Sequence, residues 1–301
     1  MSDHYPRIRI RSEGGTILLC EGLSFTFYMR RFHQELLPGL LRSLETYRRL
    51  VREGLGIYWD MDCEARPLDT AGWELAMQDL AAGVIVRLHD VSDRDTRYRF
   101  EYFPKTADTP SLKWEHEWTS AVFFWLPTEY LEEHGPAQVR ALALELASPL
   151  PFCSGQVGLS DNGEPDLVMA HREIRKSCFR YPGLDIPHVG HLSWSMGTRV
   201  RGPAWLTFLG RPVLGELGGA AGLRSRLHTP GTTVEELDPE RVVVTLGEWP
   251  EAGDTEQGRD LPAYRELARV LEPWLYHEEK RAFSYFDTPE EQRRWERRFI
   301  D

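Results

Sequence analysis

The chain has 301 residues, of which 41% are hydrophobic and 28% charged, a composition that can bury a real core and excludes a disordered or fibrous protein. Its formal net charge of −11 disfavours nonspecific binding to DNA, RNA or anionic lipid, each of which requires positive charge to displace counterions. No stretch approaches the roughly eighteen apolar residues of a membrane-spanning helix, and the opening Met1-Ser2-Asp3-His4-Tyr5-Pro6-Arg7 lacks the apolar run of a secretory signal. Cys20, Cys63, Cys153 and Cys178 are far apart and form no Cys-x-x-Cys pair, so reduced, mostly buried thiols in the cytoplasm are expected.

In chain order, Thr16 to Met29 reads as two short strands around Glu21-Gly22, rich in β-branched and aromatic residues. Leu37, Leu40, Leu41, Leu44, Tyr47 and Val51 then fall on one face of a helix that Gly54 stops. Ile57 to Trp59 is a candidate strand, Trp73 to Ala82 a helix, and Val84 to Leu88 with Tyr98 to Phe103 a strand pair. The continuous apolar run Ala121 to Leu126 marks a central strand buried on both faces, ended by Pro127. Pro136 opens a helix whose Val139, Leu142, Ala143 and Leu146 keep helical spacing.

Leu206 to Leu209 and Val242 to Leu246 are further strands, with a glycine-rich helix from about Gly215 to Leu227 between them. Leu267, Ala268, Leu271 and Leu275 give another helical face, broken near Pro273, and Thr288-Pro-Glu-Glu291 opens a short terminal helix as a capping box. Helices and strands intermix without regular βαβ units, which predicts an α+β fold of mainly antiparallel sheet flanked by helices. No linker or short repeat is visible, so residues 1–301 read as one domain, while a strand–helix–strand echo between the halves admits two related lobes.

The search for chemistry yields no nucleotide loop, no glycine-rich dinucleotide fingerprint and no Gly-x-Ser-x-Gly elbow. Gly218-Gly219-Ala220-Ala221-Gly222 fits close helix packing better than phosphate binding. His188-x-x-His191 offers two imidazoles with only Asp185 nearby, too few for a convincing metal site. Asp60-Met61-Asp62 is the best carboxylate pair: in an extended Tyr58 to Asp62 the two acids share a face, where they could hold a divalent cation or act in acid–base chemistry, with His116 as a partner. A charged strand end is the blander and stronger reading, and Glu115-His116-Glu117 reads the same way, as a polar loop between Trp114 and Trp118. No catalytic residue, metal ligand or cofactor is assigned.

Acid is nonetheless concentrated in two segments. Glu235, Glu236, Asp238, Glu240, Glu248, Glu251, Asp254 and Glu256 stand against the single base Arg241, and Asp60, Asp62, Glu64, Asp69, Glu74 and Asp79 against Arg66. Trp59, Trp73 and Trp249 lie within or beside them. Rings that anchor beside charges that steer suit a protein–protein interface, against the plainer reading of solvated loops and an acidity that serves solubility; on the first reading the candidate binding residues are Glu248, Trp249, Glu251, Asp254, Glu256, Asp60 and Asp62.

Several segments together resemble the TsiV-like family of type VI secretion immunity proteins. They are Phe25 to Met29, Leu37-Pro38-Gly39-Leu40-Leu41, Leu44 to Tyr47, Tyr58 to Asp62, Phe124 to Tyr130, Pro149 to Gly155, Tyr181 to Asp185, Trp205 to Gly210, Gly218 to Leu223 and Leu246 to Pro250. The resemblance runs in order from about residue 16 to residue 276 and leaves a C-terminal extension from His277. It implies a non-enzymatic antitoxin that binds and neutralises a cognate effector, in some members a nuclease, and carries no catalytic motif to this chain. An acidic antitoxin fits a basic partner; the alternative is a metal-assisted hydrolase using Asp60 and Asp62.

Overall fold

The computed structural model describes residues 4–15, 17–60, 62, 64–90, 97–113, 117–163, 168–278 and 285–301. Its first half comprises β1 (Arg9–Arg11), β2 (Ile17–Met29), α1 (His33–Val51), β3 (Ile57–Trp59), β4 (Ala65–Pro67), α2 (Thr70–Ala82), β5 (Val86–His89) and β6 (Arg99–Phe103). Next come β7 (Ser120–Pro127), α3 (Thr128–Ala147), β8 (Ser154–Gly163), α4 (Val168–Cys178), α5 (Val189–Leu192) and β9 (Leu206–Leu209). The chain closes with α6 (Val213–Glu216), α7 (Gly219–Arg224), β10 (Thr232–Asp238), β11 (Arg241–Leu246), α8 (Pro262–Leu271) and α9 (Pro289–Glu296). The intermixed helices and antiparallel strands make this an α+β fold.

Two compact units divide the chain, one of residues 1–24, 154–188 and 199–301, the other of residues 25–153 and 189–198. In the second unit the strand order is β2-β7-β6-β5-β3-β4. Between β2 and β6 lies β7, whose eight residues are all buried as the unbroken run Ala121 to Leu126 predicts, because a strand covered on both faces has no polar alternation. α1 buries Leu36, Leu40, Leu44, Tyr47 and Val51. The apolar face is rotated from the expected one: Leu36 replaces Leu37, and Leu41 is 42% exposed. The rotation brings Gly39 so close to the Pro149 carbonyl that a Cβ would lie 2.2 Å from its oxygen, and the Ser43 hydroxyl donates to Leu146 O at 2.8 Å. Within α3, Val139, Leu142, Ala143 and Leu146 are buried as their spacing predicts. Gly135, at φ 76°, breaks the helix just before Pro136, so a separate turn from Thr128 precedes the expected start.

The first unit carries β10-β11-β9-β8-β2, with β1 antiparallel to β2. A core of Leu209, Val213, Val242, Val244, Leu267 and Leu271 lies between this sheet and the helices around α8. In place of the two short strands expected here, Ile17–Met29 is one long strand, because Glu21 needs no turn: its buried carboxylate accepts from Ile8 N at 2.7 Å and Arg9 Nη1 at 2.8 Å. The glycine-rich helix is in fact two short ones, α6 and α7, since Gly218 between them and Gly219 at the start of α7 take φ of 83° and 70°. Thr288 caps α9, accepting from Glu291 N at 3.2 Å, as the capping box predicts. Cys20 and Cys178 are buried and Cys153 partly so, all as free thiols, while Cys63 lies outside the described residues.

Candidate functional site

The two acidic segments fall in different units, and local structure absorbs much of their charge. Residues 235–240 form the hairpin of β10 and β11, paired antiparallel from Thr232↔Leu246 to Asp238↔Arg241. At its tip Asp238 accepts from Glu240 N at 2.8 Å and from Arg241 at 2.7 Å. Glu236 pairs with Arg224 at 2.9 Å, and Arg224 also donates to Val234 O at 3.0 Å. Arg224, the last residue of α7, thereby covers part of β10, the last strand in its sheet order, which hinders pairing with another chain.

Beyond the hairpin, Glu248 is exposed and has no ion pair among the described residues. Trp249 is half-buried, its ring stacked on His4 at 4.9 Å with 2° between planes, and the same imidazole meets Glu251 at 2.6 Å. Asp254 departs from the expected binding set. It is only 1% exposed, caps the turn Thr255–Gln257, and accepts from Arg180 Nε and Nη2 at 3.1 and 3.0 Å. The Arg180 guanidinium holds its carboxyl below the ordinary carboxylate range. Asp254 therefore builds the loop and presents no charge to a partner; Glu256 is exposed but shares Arg180 at 2.7 Å. Asp254→Ala should lower stability by about 1–2 kcal/mol through loss of the cap, read by urea denaturation; an unchanged midpoint would place the capping bonds elsewhere.

In the other segment β3 ends at Trp59, so Tyr58 to Asp62 is not extended throughout. Asp60 instead starts the turn into β4, accepting from Asp62 N and Glu64 N at 3.0 and 2.9 Å and from Arg66 Nε at 2.6 Å. These amides, Glu64 N first, and the guanidinium hold its carboxyl below the usual range. The pairing expected of Asp60 and Asp62 thus gives way to a turn that uses one carboxylate and leaves Asp62 exposed. Asp69 caps α2 through Gly72 N at 2.9 Å, and Asp79 accepts from the Tyr58 hydroxyl at 2.5 Å. Trp73 lies under the Arg48 guanidinium at 4.3 Å, beside an open groove lined by Leu68, Asp69, Thr70 and Met77.

For metal chemistry, no cluster of three or more His, Cys, Asp or Glu suited to a cation occurs among the described residues. His188 faces Tyr285 edge-on at 5.6 Å, and His116, together with Trp114 and Glu115, lies outside the described residues. Sequence reasoning missed the polar strand β8. Its Gln156 donates to Asp185 at 2.5 Å, and its Asp161 accepts from Ser177 at 2.8 Å; burial pushes the Asp161 carboxyl up to about 7. Buried polar groups with partners leave no apolar run to read.

Exposed in these segments are Glu235, Glu248, Glu256, Asp62 and Glu74, and the large apolar side chains Leu41, Trp59 and Ile85 are exposed among the described residues. No helix among the described residues is long and apolar enough to cross a membrane.

The fold is shared with a solved structure, the Pseudomonas aeruginosa T6SS protein PA0821, at a TM-score of 0.77 and 20% identity over 98% of this chain and 88% of that one. No curated protein matches the sequence. The sequence pattern of the TsiV family, described as type VI immunity for VRR-NUC, matches residues 39–299. The chain belongs to that family of type VI immunity proteins. The match runs from residue 39 to residue 299 and so takes in α9.

Proposed function

We propose that this protein neutralises its cognate effector by binding it and covering its active site, without turnover, inside the cytoplasm of the cell that makes it. The family match over residues 39–299 carries this reading. The family description extends it to a nuclease effector of the VRR-NUC kind. A nuclease presents a basic cleft to its phosphate substrate, and a binding protein of net charge −11 is drawn to such a cleft and repelled by nucleic acid. The engagement of Asp60 by Arg66 and two amides favours binding over hydrolysis as the role of that segment.

Co-expression with the cognate effector should restore growth, and Asp60→Asn with Asp62→Asn should retain both fold and protection. Loss of a measurable hydrolytic activity in that double variant would overturn the reading. Steering should rest on Glu248, Glu251 and Glu256. Changing these three to Gln should slow association by about three- to tenfold at low salt, with a smaller effect at high salt and little change in dissociation. Trp249→Ala should act mainly on dissociation. Stopped-flow binding at two salt concentrations separates the two, and unchanged rates in all variants would move the interface away from residues 248–256.

A further inference from the structure

On the sheet of the second unit, side chains alternate between faces. Tyr58, Leu88 and Phe100 turn to one face and are fully buried. On the other face the register sets Trp59 opposite Arg87 and Arg87 opposite Glu101, with His89 opposite Arg99 in the next row. Arg99 Nε lies 2.8 Å from Glu101 and donates to His89 Nε2 at 3.0 Å. Burial alone would raise the Glu101 carboxyl, but Arg99, with His89 and Arg87, holds it at about 2. Glu101 and Arg99 are therefore committed to each other.

Arg87 is left over. It is half-buried, rests 5.7 Å over Phe103, and forms no ion pair among the described residues. Its cross-strand neighbour Trp59 is 36% exposed. Indole and guanidinium are the side chains that most often dominate binding energy at protein interfaces. In a chain with 47 acids and 36 bases, Arg87 contributes its charge to the cross-strand Glu101 but forms no ion pair with it, since that carboxylate is already held by Arg99, so its guanidinium keeps donors that suit a further carboxylate.

We propose that Trp59 and Arg87 form the docking point for a carboxylate-bearing segment of the effector, the indole packing against it and the guanidinium pairing with the acid. This rests on the immunity reading. It is compatible with acidic steering by residues 248–256, because long-range attraction follows summed charge whereas contact follows local complementarity; a metal-dependent nuclease also gathers carboxylates at its centre.

Purified wild-type protein and its Arg87→Glu, Arg87→Met and Trp59→Ala variants would be titrated with purified full-length cognate effector by biolayer interferometry, beside thermal melts. Arg87→Glu should weaken binding by about 100-fold, and Arg87→Met and Trp59→Ala by about tenfold each, chiefly through faster dissociation. Melting temperatures should stay near wild type. If Arg87→Glu disturbs Glu101 and unfolds the protein, Arg87→Met, which keeps the aliphatic stem, carries the test. Wild-type affinity in both Arg87→Met and Trp59→Ala overturns the docking point and leaves the immunity reading standing. Failure of the wild-type protein to bind the effector overturns both. Arg87-dependent binding of a single-stranded oligonucleotide, with effector binding unaffected, overturns the proposal in favour of a nucleic-acid site.

Discussion

Replacing Lys105 with methionine is expected to stabilise the protein at pH 7 and to flatten its stability at alkaline pH. Lys105 follows β6 and is 1% exposed. Its ammonium donates to Ser193 Oγ at 2.9 Å and lies 4.1 Å from the Trp194 ring centre, and no carboxylate pairs with it among the described residues. Desolvation lowers its pKa from 10.5 to about 7. In the unfolded chain the amine keeps its ordinary affinity for protons, so between these values the unfolded state holds more protons and stability rises with pH. Below about 7 both states are protonated and the penalty is constant. A shift of that span corresponds to roughly 5 kcal/mol, offset by the lost contacts with Ser193 and Trp194, so Lys105→Met should gain about 2–4 kcal/mol at pH 7. Urea unfolding of both proteins at pH 7 and near pH 10 checks it. The wild-type protein should gain stability over that interval and the variant should gain much less; parallel curves would show that Lys105 stays charged and solvated.

The opposite sign is expected at Leu142. It lies on the buried face of α3 with Val139, Ala143 and Leu146, in the same unit as the fully buried β7. Leu142→Ala removes most of a side chain that is 5% exposed and leaves a cavity that the neighbouring backbone can close only in part. The cost should be about 2–5 kcal/mol, measured by the shift in urea midpoint at constant slope. A loss below about 1 kcal/mol would mean that the helix face is rotated, as it proved to be in α1.

These elements also mark what the sequence made legible. Apolar periodicity located α3, β7 and the pair β5 and β6, because each buries its side chains through hydrophobic burial alone. It misplaced the face of α1, where Gly39 and Ser43 allow close approach to Pro149 and Leu146: small residues determine that contact and carry little hydrophobic signal. It missed β8, whose Gln156, Ser160, Asp161 and Asn162 are buried yet polar, and β10, whose pattern in TTVEELD follows from its place at the end of the strand order. The engagement of Asp254 and Asp60 was not legible, because Arg180 and Arg66 reach them from across a loop or a turn, and such pairing leaves no mark in local composition. The Arg87–Trp59 pairing was hidden for the same reason, since it depends on strand register.

The central claim is that the protein protects by forming a complex. Its most direct test is a titration of the purified cognate effector with this protein while the effector's own activity is followed. Activity should fall in proportion to complex formed, the effector should be recovered intact when the complex is dissociated in high salt or mild denaturant, and Asp60→Asn with Asp62→Asn should inhibit as well as wild type. Inhibition at catalytic, substoichiometric amounts, with a covalently altered effector and no complex, would contradict it.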